Sequence, residues 1–184
     1  MNKKFNPRIK ARLRKNRQVL NKNIDNFFGW VKGAKLVELK GCNIEEDPVR
    51  PELDNNFRTG YGRKIYGVEY LGEIHAVMCF AYTNKVPKSV DELEKLSTDA
   101  FLQTAMRDQS GGQIAIAYTV WSKKKGGGKL IVKEVFKKIK KSNHLNRLVT
   151  LSPLTDMATK FHERNGAKLI QINETTQNFE YKVL

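Results

Sequence analysis

The hydrophobic pattern changes sharply along a central stretch of the chain, residues 113–166. An apolar run at 114–121 has the length and composition of a buried strand. A lysine- and glycine-rich segment at 122–129 interrupts it. Apolar positions then return with the period of a helix, at Leu130, Ile131, Val135, Phe136 and Ile139. This stretch therefore predicts a strand, a turn and a helix in that order.

Five other apolar runs have the length of strands and are bounded by turn residues: 64–71, 73–82, 145–151, 167–172 and 179–184. Gly72 separates the first two runs, and a short polar segment separates the last two, so each pair predicts an antiparallel hairpin. The run at 145–151 follows the central helix, and a crossover of this kind places it parallel to the central strand.

Capping residues mark two further helices. Ser89 with Glu92 three positions later forms a capping box before a helical pattern that extends to residue 107. Thr155 is a suitable N-cap for a helix that ends before Gly166. Together these elements predict a mixed α/β fold with a mostly antiparallel central sheet, a parallel βαβ crossover and flanking helices.

The positive charge of the chain is concentrated at its N-terminus. The 184 residues include 34 Lys and Arg against 19 Asp and Glu, a formal net charge of +15, and residues 1–24 hold nine of these cations and no acid. We therefore predict a basic N-terminal extension at 1–24 and a single domain at 25–184. Such a field attracts nucleic acid or another polyanion, and a solvated tail is the alternative that the sequence leaves open.

Apolar runs of about eight residues are far below the roughly 20 that span a bilayer. The basic N-terminus lacks the apolar core of a secretory signal, so we expect a soluble, cytoplasmic protein, with an organellar targeting peptide as the open alternative. Cys42 and Cys79 each stand alone in the sequence and predict neither a metal site nor a disulfide framework.

Residues 41–62 are rich in Asn, Asp, Pro and Gly and predict a long loop. Three arginines lie in or next to it: Arg50, Arg58 and Arg63. They are candidates for substrate contact, and solvated surface charge is the alternative interpretation.

The turn after the central strand has the features of a phosphate-binding loop. Glycines let the backbone approach an anion, the first amides of a helix are unpaired donors, and lysines add charge. The GxxxxGK[ST] and GxGxxG patterns are absent, which excludes a P-loop and a Rossmann dinucleotide site. The residues expected to hold the anion are Lys123, Lys125, Gly126, Gly127, Gly128 and Lys129.

This turn resembles the motif Q/R-x-x-G-x-G/A that GNAT-superfamily proteins carry between their fourth strand and third helix. Lys123 to Gly128 fits the motif, with Lys123 at the position that is usually Gln or Arg. The resemblance implies the acyl-CoA N-acyltransferase fold and transfer of an acyl group, from acetyl-CoA or another acyl-CoA, to an amine. It also implies that the CoA pyrophosphate lies on the turn and the pantetheine arm along Tyr118 and Val120.

A second segment, Ala158–Ala167, resembles the GNAT fourth-helix pattern A-x-x-x-Y-E-x-x-G-F. His162 stands where many members have the Tyr that protonates the departing CoA thiolate, so the resemblance makes His162 the general acid. A packed helix histidine is the alternative. The central strand carries no carboxylate, which leaves Glu69, Glu73 or a water chain as the candidate base.

A narrower resemblance is to the C-terminal domain of malonyl-CoA decarboxylases. Residues 151–153 match L-S-P, and residues 161–173 match F-H-x-x-N-G-A-x-L-x-x-I-N. By this match Ser152 binds the malonyl carboxylate, and His162 assists decarboxylation and proton delivery. Those enzymes carry a helical insertion between the two residues that is missing here. A helix from Thr155 places His162 about 10 Å along its axis, so we expect no direct hydrogen bond to Ser152.

Three functions from different classes follow. The first is an acyl-CoA-dependent N-acyltransferase. The alternatives are a malonyl-CoA decarboxylase-like lyase that uses Ser152 and His162, and a non-catalytic GNAT-like module that binds nucleic acid or a protein.

Overall fold

The computed structural model describes residues 11–19, 29–30, 32–107 and 112–181. The chain divides into two compact units, Met1–Ala34 and Lys35–Leu184. Residues 11–19 of the first unit are helical. The rest of the predicted basic extension, 1–10 and 20–24, lies outside the described residues. Its role toward polyanions and the predicted domain boundary therefore stay predictions.

The described residues of the second unit form an eight-stranded sheet. The strands are β1 (Lys35–Leu39), β2 (Lys64–Tyr70), β3 (Glu73–Thr83), β4 (Ile114–Ser122), β5 (Arg147–Thr150), β6 (Ser152–Pro153), β7 (Ala167–Ile172) and β8 (Thr176–Tyr181). Their order is β1-β2-β3-β4-β5-β8-β6, and β7 pairs with β8. Within this part of the chain β4 and β5 are parallel, whereas the other pairs are antiparallel. The predicted fold class is confirmed.

Helices flank the sheet. They are α1 (Asn55–Thr59), α2 (Val90–Arg107), α3 (Gly127–Lys140) and α4 (Asp156–Arg164), with a short 3-10 helix at Ile44–Glu46. Helix α3 makes the crossover from β4 to β5 and buries its apolar side chains, Leu130, Ile131, Val132, Val135 and Ile139. No helix among the described residues is long and apolar enough to cross a membrane.

Side-chain hydrogen bonds cap the N-termini of α2 and α4. The hydroxyl of Ser89 accepts a hydrogen bond from the Glu92 N–H at 3.1 Å. The hydroxyl of Thr155 accepts one from the Ala158 N–H at 3.3 Å. Gly166 has φ +86°, the left-handed conformation that commonly ends a helix. The predicted position of α4 is confirmed, and this position determines where His162 lies.

The segment predicted as a long loop holds the 3-10 helix and α1. Its arginines are buried, with exposed fractions of 7% for Arg50, 0% for Arg58 and 3% for Arg63, so the interpretation as solvated charges is wrong. Each guanidinium finds protein acceptors. Arg58, for example, pairs with the Asp47 carboxylate at 2.8 Å and donates to the Leu53 carbonyl at 2.8 Å. These bonds satisfy backbone carbonyls that irregular structure leaves unpaired.

Candidate functional site

A cleft of about 1300 Å³ lies where β4 and β5 separate. The carbonyl of Ala117 accepts a hydrogen bond from the Leu151 N–H at 2.9 Å. Beyond that bond β6 pairs with β8. The register between β3 and β4 also shifts there, which leaves Tyr118 without a partner in β3. The end of β4 therefore forms one wall of the cleft, and the segment that starts at Ser152 forms the opposite wall.

Most residues that the sequence predicts for the site line this cleft: Tyr118, Val120, Lys123, Lys125, Gly126, Gly128, Lys129, Ser152 and His162. Gly127 is predicted too, but it lies buried behind the turn. A Cβ at Gly127 would lie 2.5 Å from the Ser122 hydroxyl oxygen, so packing against the end of β4 requires this glycine. The candidate bases Glu69 and Glu73 are not among the described residues that line the cleft.

Two further glycines shape the turn. Gly126 has φ +85°, a conformation that glycine adopts without strain. Its carbonyl accepts the Leu130 N–H at 3.0 Å, the first bond of helix α3. A Cβ at Gly128 would lie 3.1 Å from the Phe161 ring, so α3 and α4 approach closely here. No side chain among the described residues caps α3. The Gly127 N–H donates to the Lys124 carbonyl at 2.9 Å, and the amides of Gly128 and Lys129 are the donors of this turn that an anion could satisfy.

The lysines of the turn differ in what they contact. Lys123 forms an ion pair with Glu46 at 2.6 Å, which compensates part of its charge. The ammonium of Lys124 lies 4.9 Å from the centre of the Tyr70 ring. Lys125 and Lys129 are exposed and line the cleft. The positive end of the cleft therefore depends mainly on Lys125 and Lys129.

Ser152 and His162, which both line the cleft, are in direct contact. The Oγ atom of Ser152 lies 2.7 Å from Nε2 of His162, and each residue is 5% exposed. The expectation of no direct hydrogen bond is therefore wrong. The expected distance of about 10 Å included only the rise of the helix from Thr155 to His162 and left out the direction of the extended segment from Ser152 to Thr155. The three residues from Ser152 to Thr155 span a similar length in extended form, so two arms that fold back at Thr155 meet at their ends.

A chain of hydroxyl groups surrounds the imidazole of His162. Nδ1 lies 2.9 Å from the Tyr181 hydroxyl, and the Ser152 hydroxyl donates to Oγ1 of Thr150 at 3.1 Å. The Phe179 ring stacks on the imidazole with centroids 5.0 Å apart. Because a neutral imidazole has one donor and one acceptor nitrogen, the consistent assignment has Nε2–H donating to Ser152 and the Tyr181 hydroxyl donating to Nδ1.

Burial sets the protonation state of this site. It lowers the pKa of His162 from 6.5 to about 4, since a buried imidazolium loses its hydration. It also raises the pKa of the Tyr181 hydroxyl well above its usual range. At neutral pH the site therefore holds a neutral imidazole between two neutral hydroxyls, a set of groups that can donate hydrogen bonds to a carboxylate or a carbonyl oxygen.

Tyr181 and Thr150 were missed by the sequence reasoning. The alternation of side chains along the predicted last strand places Phe179 and Tyr181 on the same face, so the sequence does indicate that these two rings lie together. Nothing in the sequence, however, indicates that this face meets helix α4. Thr150 is the last residue of a buried strand and has the pattern of an ordinary β-branched core residue.

Acidic groups are sparse around the cleft. Among the described residues that line it, the acids are Glu46, which pairs with Lys123, and Asp156 at the start of α4, whose side chain is 96% exposed. The described residues contain no group of three or more His, Cys, Asp or Glu side chains that could hold a metal ion.

Several solved structures resemble this protein. Malonyl-CoA decarboxylase from Rhodopseudomonas palustris superimposes with a TM-score of 0.62 at 15% identity, over 94% of this chain and 66% of that chain. The GNAT-like decarboxylase GphF in complex with isobutyryl-CoA gives 0.59 at 11% identity, over 80% of this chain and 98% of that one. A Bacillus subtilis acetyltransferase in complex with CoA gives 0.56 at 12% identity, over 82% and 99%.

No family model matches the sequence, and no curated protein matches it. This chain spans about two thirds of the length of the R. palustris decarboxylase. At these identities the likeness establishes the fold. The protein has the GNAT fold, with structural resemblance both to acetyltransferases and to malonyl-CoA decarboxylases, as the sequence predicts.

Proposed function

We propose that the protein binds an acyl-CoA in the cleft and acts on its acyl group. The observation that carries this proposal is that the cleft connects the glycine- and lysine-rich start of α3 with the buried Ser152–His162 pair. The diphosphate fits the turn from Gly126 to Lys129, where close backbone approach, helix amides and two exposed lysines favour an anion. The pantetheine arm then follows Tyr118 and Val120 to the hydroxyl groups around His162.

The reaction that this geometry supports best is decarboxylation of a malonyl-type thioester. The hydroxyl of Ser152 turns from Thr150 to donate its hydrogen bond to the carboxylate, while Nε2–H of His162 donates to Ser152 Oγ and makes that hydroxyl a stronger donor. The bond between that carboxylate carbon and C2 breaks, CO₂ leaves, and the electron pair passes into the thioester as an enolate. C2 then takes one proton, so that malonyl-CoA and a proton give acetyl-CoA and CO₂. The buried, apolar setting disfavours a compact carboxylate more than the delocalised enolate.

An N-acyltransferase is the second candidate. The exposed Asp156 carboxylate lines the cleft and would accept the proton of an amine acceptor. The solved acetyltransferase with this fold supports the same reaction class. Against it, burial lowers the pKa of His162 to about 4, so almost no imidazolium is present near pH 7, and the neutral imidazole is a poor proton donor to a departing thiolate.

Ligand-dependent stabilisation of the full chain tests the proposal. CoA, acetyl-CoA and malonyl-CoA should each raise the unfolding temperature, since a ligand at 100 times its dissociation constant adds about 2.7 kcal/mol. A Lys125→Ala/Lys129→Ala variant should lose most of this shift. Lys168→Ala removes an exposed lysine that does not line the cleft and should keep it. No shift with any of the three ligands would contradict acyl-CoA binding.

A further inference from the structure

The end of the β4–β5 ladder is occupied by a side chain from the loop before α1. In a continuing parallel ladder the carbonyl of Leu151 would accept a main-chain N–H from β4. Instead it accepts from Nη2 of Arg50 at 3.1 Å, while Nε of Arg50 donates to the Tyr118 carbonyl at 2.9 Å. The guanidinium of Arg50 therefore joins the two strands at the point where the cleft begins.

Arg50 is itself held in place by buried groups. Its N–H donates to the Asp47 carboxylate at 3.2 Å, and its carbonyl accepts from Arg58 at 2.7 Å. The Asp47 carboxylate also pairs with Arg58 and accepts the hydroxyl of Thr119, a residue of β4, at 2.9 Å. The main chain of Arg50 is thus anchored to β4 by way of Asp47, and its side chain is anchored by its own hydrogen bonds to the Tyr118 and Leu151 carbonyls.

Burial of the Arg50 guanidinium costs more free energy than a purely structural contact between the two strands requires. Arg50 is 7% exposed, and its guanidinium donates to two neutral carbonyls. Its ion-pair partner is the carboxylate of Glu52, with Nη1 of Arg50 4.0 Å from Oε1 of Glu52. Burial of a cation without a close counter-ion costs free energy that a simple strand pair would avoid. A functional reason for the contact is therefore worth testing.

We propose that Arg50 is a positioning residue that keeps β4 and β5 apart and so sets the slot for the acyl-pantetheine end of the ligand. This inference rests on the proposed acyl-CoA function. Tyr118, whose carbonyl Arg50 binds, lines the cleft on one side. Leu151, whose carbonyl it also binds, directly precedes Ser152 on the other side. One guanidinium therefore fixes both walls relative to each other.

The test uses Arg50→Met, with Arg63→Met as a matched control. Arg63 is also buried, at 3% exposure, and its guanidinium donates to the Phe57 carbonyl and to the Ser97 hydroxyl, but it does not line the cleft. Neither substitution leaves a buried carboxylate unpaired, because Asp47 keeps its ion pair with Arg58. Both variants should therefore lose stability through the same kind of change.

Two probes separate positioning from general damage. In this proposal, the acyl-pantetheine part of acetyl-CoA lies beside Tyr118, whose carbonyl Arg50 binds. Adenosine 3′-phosphate 5′-diphosphate, the nucleotide half of CoA, contacts only the turn from Gly126 to Lys129. Measured by calorimetry, Arg50→Met should raise the dissociation constant of acetyl-CoA at least tenfold and change that of the nucleotide less than twofold. Arg63→Met should leave both affinities within twofold of the wild type.

Unchanged acetyl-CoA affinity in Arg50→Met would overturn the inference, and so would equal weakening of both probes, which indicates only structural damage. If Arg50→Met does not fold, Arg50→Lys, whose amine reaches one carbonyl, replaces it with an expected loss of threefold or more. Wild-type protein that binds neither probe would instead contradict the proposed function, and this inference would fall with it.

Discussion

The Oγ atom of Ser152 and the Nε2 atom of His162 lie 2.7 Å apart, although one belongs to β6 and the other to α4. The contact is buried and continues through Nδ1 of His162 to the hydroxyl of Tyr181 at 2.9 Å. A hydrogen-bonded pair of this kind acts as a unit, because each group sets the orientation and hydrogen-bond role of the other.

We therefore expect the effects of Ser152→Ala and His162→Gln on turnover to be non-additive. Each change should lower kcat by about 10²- to 10⁴-fold, and the double variant should lose no more than the worse single variant. Binding of CoA should stay within a few-fold of the wild type, because the proposed nucleotide contacts are those of the turn from Gly126 to Lys129 and not Ser152 or His162. Steady-state kinetics of the three variants on malonyl-CoA measure this.

His75→Gln is the control for these variants, since His75 is a strand histidine that does not line the cleft. Its kcat should match the wild type. Losses that simply multiply in the Ser152/His162 double variant would mean that the two side chains act independently.

Tyr181→Phe should reduce kcat by roughly fivefold to tenfold, since it removes one hydrogen bond worth about 1 kcal/mol to the imidazole. KM for the thioester should change little. The ¹⁵N resonances of His162 should also shift, because Nδ1 loses the donor that fixes its tautomer. Tyr82→Phe removes a tyrosine hydroxyl away from the cleft and should alter neither the kcat nor the ¹⁵N resonances. Unchanged ¹⁵N resonances in Tyr181→Phe would contradict this hydrogen bond.

The buried imidazole of His162 should make the protein less stable in mild acid. Burial lowers the pKa of His162 from 6.5 to about 4, so the unfolded chain binds a proton more tightly than the folded chain. The contribution to stability is complete above pH 6.5 and is lost as the pH falls toward 4, by up to about 3 kcal/mol.

Urea unfolding at pH 7, 6 and 5 measures this effect. The wild type should lose more of its unfolding free energy over this range than His162→Gln, which lacks the titrating group, and the other groups titrate in both proteins alike. Parallel pH dependences in the two proteins would show that His162 is not buried in its neutral form.

Gly126→Ala should weaken acyl-CoA binding as well as the fold. Gly126 has φ +85° and lines the cleft, so a Cβ strains the turn by about 1–2 kcal/mol and displaces the amides that hold the diphosphate. Gly166→Ala is the matched control. Gly166 has φ +86° and does not line the cleft, and no described atom would lie within 4 Å of a Cβ at this position.

Denaturant unfolding and calorimetry with CoA separate the two effects. Both glycine variants should lose similar stability, whereas only Gly126→Ala should lose affinity for CoA. Equal CoA affinities in the two variants would remove the turn from the binding site.

Local patterns in the sequence predict much of this fold. The hairpin of β2 and β3, the caps at Ser89 and Thr155, and the crossover through α3 each depend on signals within about 20 residues, and the structure confirms them. The Gly126 turn belongs to the same class, because a positive φ at the start of a helix favours glycine.

The errors concern contacts between distant segments. Arg50 looks like a loop charge because its acceptors, the carbonyls of Tyr118 and Leu151, are 68 and 101 residues away. The contact of Ser152 with His162 depends on how two short arms fold back at Thr155, which no periodicity encodes. Hydrogen bonds of this kind arise from the tertiary arrangement, and the sequence supplies only the residue types.

The most direct test of the account is the fate of ¹³C-labelled malonyl-CoA in D₂O with the full chain. We predict equal amounts of labelled CO₂ and acetyl-CoA, with the thioester intact and one solvent deuterium on the methyl carbon, and loss of this activity in Ser152→Ala. Malonyl-CoA that binds but stays unchanged would contradict it. Acyl transfer from acetyl-CoA to an amine without any CO₂ release would assign the cleft to the acyltransferase reaction instead.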